Sequence, residues 1–220
     1  ITDGNDTVKA QTWFEYDAGT CDKGNLTKKT LWLNTEANPA NYPATRYQYD
    51  AYGRVTRVTD PKGNAVTTPY ETIANTFPAT QTIDTLNFTT TTTYTYACGA
   101  PATVTDPIGA VTTYRYASFC RPTKVILPGD TEAAPTRSYS YVDFGGVGVQ
   151  RVTTFVKAPS VADADYTVFS ESYFDGLGRP IATRKTGPPE ESAIVTGTRY
   201  NTIGLVSWKT LPYYEGNQPT

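Results

Sequence analysis

The stretch YQYDAYGRVTRVTDPKG, residues 47–63, holds two turns separated by a short alternating segment. Asp50 and Gly53 frame the first turn, and Asp60 and Gly63 frame the second with the same spacing. Asp at the first position and Gly at the fourth are preferences of a type I turn. With the Gly in the left-handed region, such a turn closes a short hairpin through a one-residue bulge. The stretch therefore predicts consecutive β-hairpins.

The same Asp/Asn-x-x-Gly spacing recurs along the chain. It returns at Asp106 and Gly109, at Asp175 and Gly178, and at Asn201 and Gly204. A worn copy after Tyr116 has Ala117 in the Asp position and Cys120 in the Gly position. Internal repetition of this kind indicates an array of supersecondary units. We expect each turn glycine to have a positive φ, and each Asp or Asn side chain to bond backbone N–H groups of its own turn.

The segments between the turns alternate as strands do. Thr93-Tyr94-Thr95-Tyr96 places two tyrosines on one face and two threonines on the other. No segment has a sustained helical period. The predicted fold class is all-β: an open, curved antiparallel ribbon of roughly 10–14 short strands, because twist and bulges accumulate along such an array. Residues 1–220 are interpreted as a single repeat segment, with a less regular part at residues 1–44.

The composition limits the partners. The 220 residues carry a net charge of −2, and only 18% of them are charged. A nucleic-acid partner is not expected, because no basic footprint is present. No stretch approaches the ~20 apolar residues that cross a membrane. The chain starts at Ile1 and contains no Met, so we interpret it as a fragment of a longer protein.

The chemistry available to an active site is narrow. The chain has no histidine, which excludes His-based triads and His-containing metal sites, and no cofactor is expected. Asp50, Asp60, Asp106 and Asp175 could in principle pair as glycosidase acid and base. Their repetition favours a turn role, because a catalytic pair would occur once. We therefore predict that the chain is not an enzyme.

Aromatic and basic residues of the repeats have two interpretations. The tyrosine rows, Tyr94 with Tyr96 and Tyr114 with Tyr116, are either cross-strand packing ladders or platforms for sugars. Three arginines directly follow the last turn position: Arg54, Arg121 and Arg179. For these we expect solvated positions or cross-strand ion pairs, each of which contributes little to stability.

Three cysteines, Cys21, Cys98 and Cys120, form no complete disulfide framework, because their number is odd. Their spacing is not that of a zinc site. Cys98 and Cys120 occupy nearly equivalent places in successive hairpins. They are either free thiols at turn positions or partners in a disulfide.

The motif of residues 47–63 resembles the Rhs or YD repeat, and similar motifs occur at 94–109, 114–127, 173–187 and 199–210. The segments FDGLGR (174–179) and SWKTLPYY (207–214) resemble the repeat region of the bacterial toxin-complex B component and SpvB-like proteins. This resemblance implies a non-catalytic wall segment of a secreted or cell-surface shell that encloses a C-terminal toxin or effector domain. Its implied partners are that effector domain and other YD-repeat segments, joined by pairing of sheet edges. The alternative is an extracellular adhesive module that binds glycans through the same hairpins.

Overall fold

The computed structural model describes residues 10–20, 22–146, 150–157, 167–188 and 192–217. These residues form β-strands joined by turns and three short 3₁₀ segments, and none of them lies in an α-helix. The chain divides into two compact units, Ile1–Val111 and Thr112–Thr220. Cys21 lies outside the described residues.

The first unit is a meander in which each strand pairs with the next. Its strands are β1 Thr12–Tyr16, β2 Leu26–Leu31, β3 Ala44–Tyr49, β4 Val55–Thr59, β5 Ala65–Thr67, β6 Thr80–Ile83, β7 Phe88–Thr95 and β8 Ala100–Thr105. All pairings from β1 to β8 are antiparallel. The register shifts next to the turns at Tyr49 and at Tyr94, as expected where a bulge closes a hairpin.

The second unit repeats this plan. Its strands are β9 Val111–Tyr116, which begins on the last residue of the first unit, β10 Pro122–Ile126, β11 Arg137–Val142, β12 Arg151–Lys157, β13 Thr167–Phe174, β14 Pro180–Lys185, β15 Ile194–Tyr200, β16 Val206–Lys209 and β17 Tyr213–Tyr214. Pairing is antiparallel throughout. Beyond β14, β15 pairs with β16 through Thr198–Tyr200 and with β17 through Ile194 and Val195.

The predicted all-β fold, an open array of antiparallel hairpins, is confirmed. The described residues contain 17 strands, more than the expected number. Several of these strands are short: β5 has three residues, β6 four and β17 two. Between Tyr70 and Pro78 a single bridge replaces a strand pair.

Very little of either unit is buried. Among the described residues the buried apolar ones are Ala44, Ala65, Ile126 and Ala193, and three of these four are alanines. Many large apolar side chains are exposed instead, including Ile108 at 89% and Phe119 at 93%. Burial of an apolar core therefore contributes unusually little to the stability of this sheet. Contacts between strands and within turns must carry more of it.

Threonine pairs are one such contact. Thr82 and Thr89 face each other across β6 and β7, with hydroxyl oxygens 2.9 Å apart. Thr93 and Thr103 are 2.6 Å apart across β7 and β8. The second unit has the same device at Thr183 and Thr196, also at 2.6 Å. Such hydroxyl pairs hold the register of strands while leaving both faces of the sheet wet.

Candidate functional site: the turn and tyrosine repeat

The turn at Asp175 shows how the repeat motif works. Its Oδ1 accepts the N–H groups of Leu177 and Arg179, both at 2.9 Å. Its carbonyl accepts the N–H of Gly178 at 3.0 Å, and its own N–H donates to the carbonyl of Arg179 at 3.0 Å. All four of these hydrogen bonds are therefore made by Asp175, two by its Oδ1 and two by its backbone groups. We call the Asp the hub residue and Arg179 the closing residue.

The same four contacts occur at four other hubs: Asp50, Asp60, Asp106 and Asn201. The fourth-position glycines have positive φ, with values of 79° at Gly53, 91° at Gly63, 87° at Gly109, 77° at Gly178 and 84° at Gly204. A residue with a Cβ is strained in this region. The Asn201 turn shows that Oδ1 alone suffices, because an amide carries the same acceptor.

Two arginines add a charge to this arrangement. Arg54 Nε and Arg179 Nε each donate to the Oδ2 of their own hub Asp at 2.7 Å. The expected cross-strand ion pairs are thus wrong for these two, because the partner lies within the same turn. The backbone N–H of Arg179 and then its side chain lower the pKa of Asp175. At Asp50, partial desolvation raises the pKa, but the hydrogen bonds of Arg54 outweigh it and the net pKa is lowered.

Two further carboxylates are hubs of turns that do not have the Asp-x-x-Gly spacing. Glu71 accepts four backbone N–H groups: those of Ile73, Ala74, Thr76 and Phe77. Desolvation opposes ionisation of this carboxyl, yet the four donors lower its pKa to about 2. Asp17 similarly accepts the N–H groups of Lys23, Gly24 and Asn25. Each of these turns is longer than the Asp-x-x-Gly form.

A second repeated contact joins each turn to the next hairpin. Tyr200, at the end of β15, donates its hydroxyl to the carbonyl of Pro180 at 2.9 Å. Pro180 follows the closing residue Arg179, whose guanidinium lies over the Tyr200 ring, 4.4 Å from its centroid. We call this contact a tyrosine latch. In a latch, the hydroxyl of a tyrosine further along the chain donates to the backbone carbonyl of the residue that directly follows a closing residue. The latch thereby connects two turns at the same edge of the sheet.

Four more latches share this geometry. The donor and acceptor pairs are Tyr49 to Leu26, Tyr70 to Val55, Tyr94 to Pro78 and Tyr141 to Pro122, at 2.8 to 3.3 Å. The closing residue is an arginine over the latch ring in two of them, Arg54 on Tyr70 and Arg121 on Tyr141. In the Tyr94 latch, Phe77 stacks on the ring instead, with centroids 4.7 Å apart. Desolvation raises the pKa of Tyr49, Tyr94 and Tyr141.

Tyrosines of the first predicted row make specific contacts with the Glu71 turn. Tyr94 packs on Phe77, and Tyr96 approaches the same ring at 6.3 Å while its hydroxyl donates to Glu71 at 3.4 Å. Tyr114 and Tyr116 lie on β9. The latch was not predicted from the sequence. A Pro directly after the closing residue, as at Pro78, Pro122 and Pro180, is a feature that could have pointed to it.

Cys98 and Cys120 are not free thiols. Cys98 and Cys120 are each disulfide-bonded. The turn of Cys120 differs from the Asp turns, because both Phe119 and Cys120 have positive φ, at 59° and 57°. Non-glycine residues are strained there, and a covalent constraint is one way to hold such a conformation.

The most buried carboxylate among the described residues is fully engaged in the sheet. Glu171 on β13 is 9% exposed. It accepts hydrogen bonds from Thr153 at 3.1 Å, from the Tyr173 hydroxyl at 3.1 Å and from Arg184 at 3.2 Å. Arg184 also binds Glu215 at 2.8 Å. This network links β12, β13 and β14 to the turn after β17.

Within the described ranges, no group of three or more Cys, Asp or Glu residues could hold a metal ion. In the same residues no helix is long and apolar enough to cross a membrane. An open groove of about 800 Å³ runs beside β15 and β16 in the second unit. Arg199, Tyr200, Trp208 and Tyr213 are among its lining residues.

Comparisons with known proteins agree with the repeat. A family model named RHS Repeat matches residues 22–65. The chain is similar to a structure of the Photorhabdus luminescens Tc holotoxin pore with a mutation in TccC3, at 16% identity and a TM-score of 0.53. It is also similar to a crystal structure of TcdB2-TccC3-TEV, at 15% identity and a TM-score of 0.60. A search of curated proteins finds no match.

These matches have a defined extent. They cover 96% and 94% of this chain but only 12% and 11% of the matched chains. At such low identity they show the fold. The family match confirms the resemblance to the Rhs/YD repeat that the turn motifs indicated.

Proposed function

We propose that this Rhs/YD-repeat chain is a non-catalytic wall segment of a secreted toxin shell that encapsulates an effector domain. The observation that carries the proposal is the repeated tyrosine latch: the described residues contain five, and four of these join a turn that has a carboxylate hub. Each latch fixes one hairpin to the next without using a packed core. Such a ribbon can continue for any number of hairpins, which suits a wall.

The partners follow from the same architecture. The shell encloses an effector or toxin domain of the same or a partner polypeptide, and neighbouring YD-repeat segments join at sheet edges. Strand edges carry unpaired backbone groups that accept a further strand. The exposed apolar side chains, such as Ile108 and Phe119, supply contact surface for these neighbours. A secreted or cell-surface location fits this role and the family resemblance.

The absence of catalysis is argued from how the carboxylates are used. The oxygen atoms of Asp50, Asp175 and Glu71 bind backbone N–H groups or an arginine of their own turn. A carboxylate with a lowered pKa that is committed to such donors is a poor general acid or base near neutral pH. Asp60 and Asp106 bind backbone N–H groups of their own turns in the same way, and such repetition suits a structural role.

The test uses the intact longer protein that contains this segment. We expect its C-terminal effector domain to resist a protease that digests the same domain once it is separated. Changing three turn glycines to valine, Gly53, Gly178 and Gly204, should expose the domain to digestion. Gly176→Val, in the same turn as Gly178 but outside the left-handed region, is the control. Equal digestion of the effector in the intact and glycine-variant proteins would reject the shell.

A second candidate, a glycan-binding surface, is favoured by the groove beside β15 and β16. Trp208 is 45% exposed there and shares the groove with Tyr200 and Tyr213. Arg199 already lies over the Trp208 ring, 5.1 Å from its centroid, which leaves less of the ring for a sugar. Binding on a glycan array that is lost on Trp208→Ala would support this function. An array without binding leaves the wall as the function.

A further inference from the structure

The turn that ends in Arg121 keeps its closing contact but has lost its hub. The N–H of Ala117 donates to the carbonyl of Arg121 at 2.8 Å, as the hub N–H does in the Asp turns. A methyl group stands where Asp50 and Asp175 have a carboxylate. This turn therefore contains the closing arginine but lacks the hub aspartate that binds it in the other two turns.

The aromatic half of the site is intact. The Arg121 guanidinium lies over Tyr141, 4.8 Å from the ring centroid, as Arg54 lies over Tyr70 and Arg179 over Tyr200. Tyr141 completes its latch to Pro122 at 3.0 Å. Two further rings approach the same guanidinium, Phe144 at 5.5 Å and Phe119 at 6.0 Å. Arg121 is thus held in place by aromatic contacts.

One hydrogen-bond donor of Arg121 is unused. The Nε of Arg121 is buried and has no hydrogen-bond partner, whereas Arg54 Nε and Arg179 Nε each bind a carboxylate at 2.7 Å. Among the residues that the structure describes, no carboxylate lies within ion-pair distance of Arg121. A buried donor without an acceptor is costly, and an arginine fork matches a carboxylate in geometry and charge.

Arg121 also borders an open groove. The groove has a volume of about 510 Å³, and its walls include Tyr141, Phe144, Gln150 and Phe174. Phe144 is 51% exposed. Three of the eight lining residues are aromatic, and Arg121 is the one cation among them. A ligand that fits must carry a single negative charge on or beside an apolar body, because a dianion would lose more hydration than one arginine can offset.

We propose that this groove binds the carboxylate of an Asp or Glu side chain from another polypeptide segment, with an apolar neighbour against the aromatic walls. The bound carboxylate takes the place that the chain's own Asp occupies beside Arg54 and Arg179. A polypeptide is the occupant because the groove is open to solvent along its length and because in every intact copy the acid belongs to a protein backbone. The site does not depend on the proposed function as a shell.

The probe is the peptide acetyl-Phe-Glu-Phe-amide, titrated into the chain while the Nε–H signals of its arginines are followed by ¹⁵N NMR. We expect a saturable shift of the Arg121 signal. The matched peptide with Gln in place of Glu should bind at least about tenfold more weakly, because a neutral amide loses the charge-assisted hydrogen bond.

Two variants test the site from opposite sides. Ala117→Asp restores the hub, and its own carboxylate should compete with the peptide and weaken binding at least tenfold. Arg121→Gln removes the cation, keeps the turn backbone and should weaken binding to a similar extent. Because this variant lacks the Arg121 signal, binding to it is followed at the backbone N–H signals of Phe144 and Gln150, which line the groove. Lys62→Gln, which removes the same charge from an exposed turn in the first unit, should leave binding unchanged.

Each outcome decides the proposal. Absence of a shift in the unchanged chain overturns it, as does equal binding by the unchanged chain and both variants. If 3-phenylpropionate binds as tightly as the peptide, the carboxylate site stands but its assignment to a polypeptide is overturned. If Ala117→Asp does not fold, Arg121→Gln decides alone.

Discussion

The Glu71 turn in the first unit and the Asp175 turn in the second perform the same task with different lengths of chain. In the Asp175 turn the hub reaches the N–H of the residue four positions on, and in the Glu71 turn the one six positions on. Both hubs donate their own N–H to the closing carbonyl at 3.0 Å. In both, a Pro follows and accepts a tyrosine hydroxyl. The repeated unit is therefore a hub residue with its latch, and the length of the turn between the hub and the closing residue can vary.

The two turns differ in how the hub charge is balanced. Asp175 has Arg179 on its second oxygen, and that arginine also stacks on the latch ring. At Glu71 the closing residue is Phe77, which fills the same place on the ring without a charge. Glu71 therefore depends on backbone N–H groups. Its pKa of about 2 shows how strongly four aligned donors favour the ionised form.

The largest effect should come from acid, because it acts on all hub carboxylates together. The pKa of Glu71 is about 2 in the folded chain against an ordinary value of 4.5. Its contribution to stability is therefore complete above about pH 4.5 and is lost as the pH falls towards 2. We expect the free energy of unfolding, measured with denaturant at several pH values, to fall across this window. Glu71→Gln should be less stable at pH 7 and should take up about one proton fewer on unfolding in acid.

The control for this change is Thr72→Val, in the same turn. Since neither Thr nor Val carries an ionisable group, this variant should reproduce the pH dependence of the unchanged chain. An identical acid slope in the unchanged chain and in Glu71→Gln would show that the four N–H contacts do not hold the carboxylate in its ionised form.

The next effect is backbone strain at a turn glycine. Gly178 has a φ of 77°, and a Cβ there would meet nothing within 4 Å, so the cost of Gly178→Val is strain rather than a clash. We expect a loss of about 1–2 kcal/mol in the free energy of unfolding. Gly176→Val in the same turn should change it by less than about 0.5 kcal/mol. Equal losses at the two positions would mean that the left-handed conformation is not what selects glycine.

These comparisons also separate what the sequence predicts from what it does not. Asp50 and Gly53 are three residues apart, and the turn they form is local, so their spacing predicts it. The Glu71 turn is not predicted by the motif, because the longer Glu side chain spans a longer loop that has no Gly at the fixed spacing. The latches are not predicted by the motif either, because the number of residues between the acceptor and the tyrosine varies from 15 to 23. Only the folded sheet brings those positions together.

The arginines show a second limit. Arg54, Arg121 and Arg179 occupy the same motif position, and the prediction of solvated positions or weak cross-strand ion pairs treats them alike. In the structure two of them are neutralised by their own turn and one is not. That difference follows from the single residue at position 117, together with the aromatic rings that neighbouring strands supply.

A smaller effect should follow from removing one latch hydrogen bond. Tyr200→Phe keeps the ring beneath Arg179 and removes the hydroxyl that binds the Pro180 carbonyl. We expect a loss of about 1 kcal/mol in the free energy of unfolding, the usual contribution of a single hydrogen bond. Tyr214→Phe is the matched control, since that hydroxyl has no hydrogen-bond partner among the described residues. If both changes cost the same, the latch would be a passive contact.

The smallest effect should come from exchanging the hub Asp of the second unit for Asn. Asp175→Asn retains the Oδ1 acceptor for the N–H groups of Leu177 and Arg179, and the Asn201 turn shows that an amide supports the same geometry. The substitution removes the negative charge beside Arg179 and so breaks an ion pair that is partly exposed to solvent. The change in the free energy of unfolding should therefore be smaller than for Gly178→Val or Tyr200→Phe. The change should be smaller still at high salt, because salt screens such ion pairs. Protection of the effector domain in the longer protein should stay intact. Loss of a hydrolytic activity of this chain on Asp175→Asn would instead place an active site where we infer a turn.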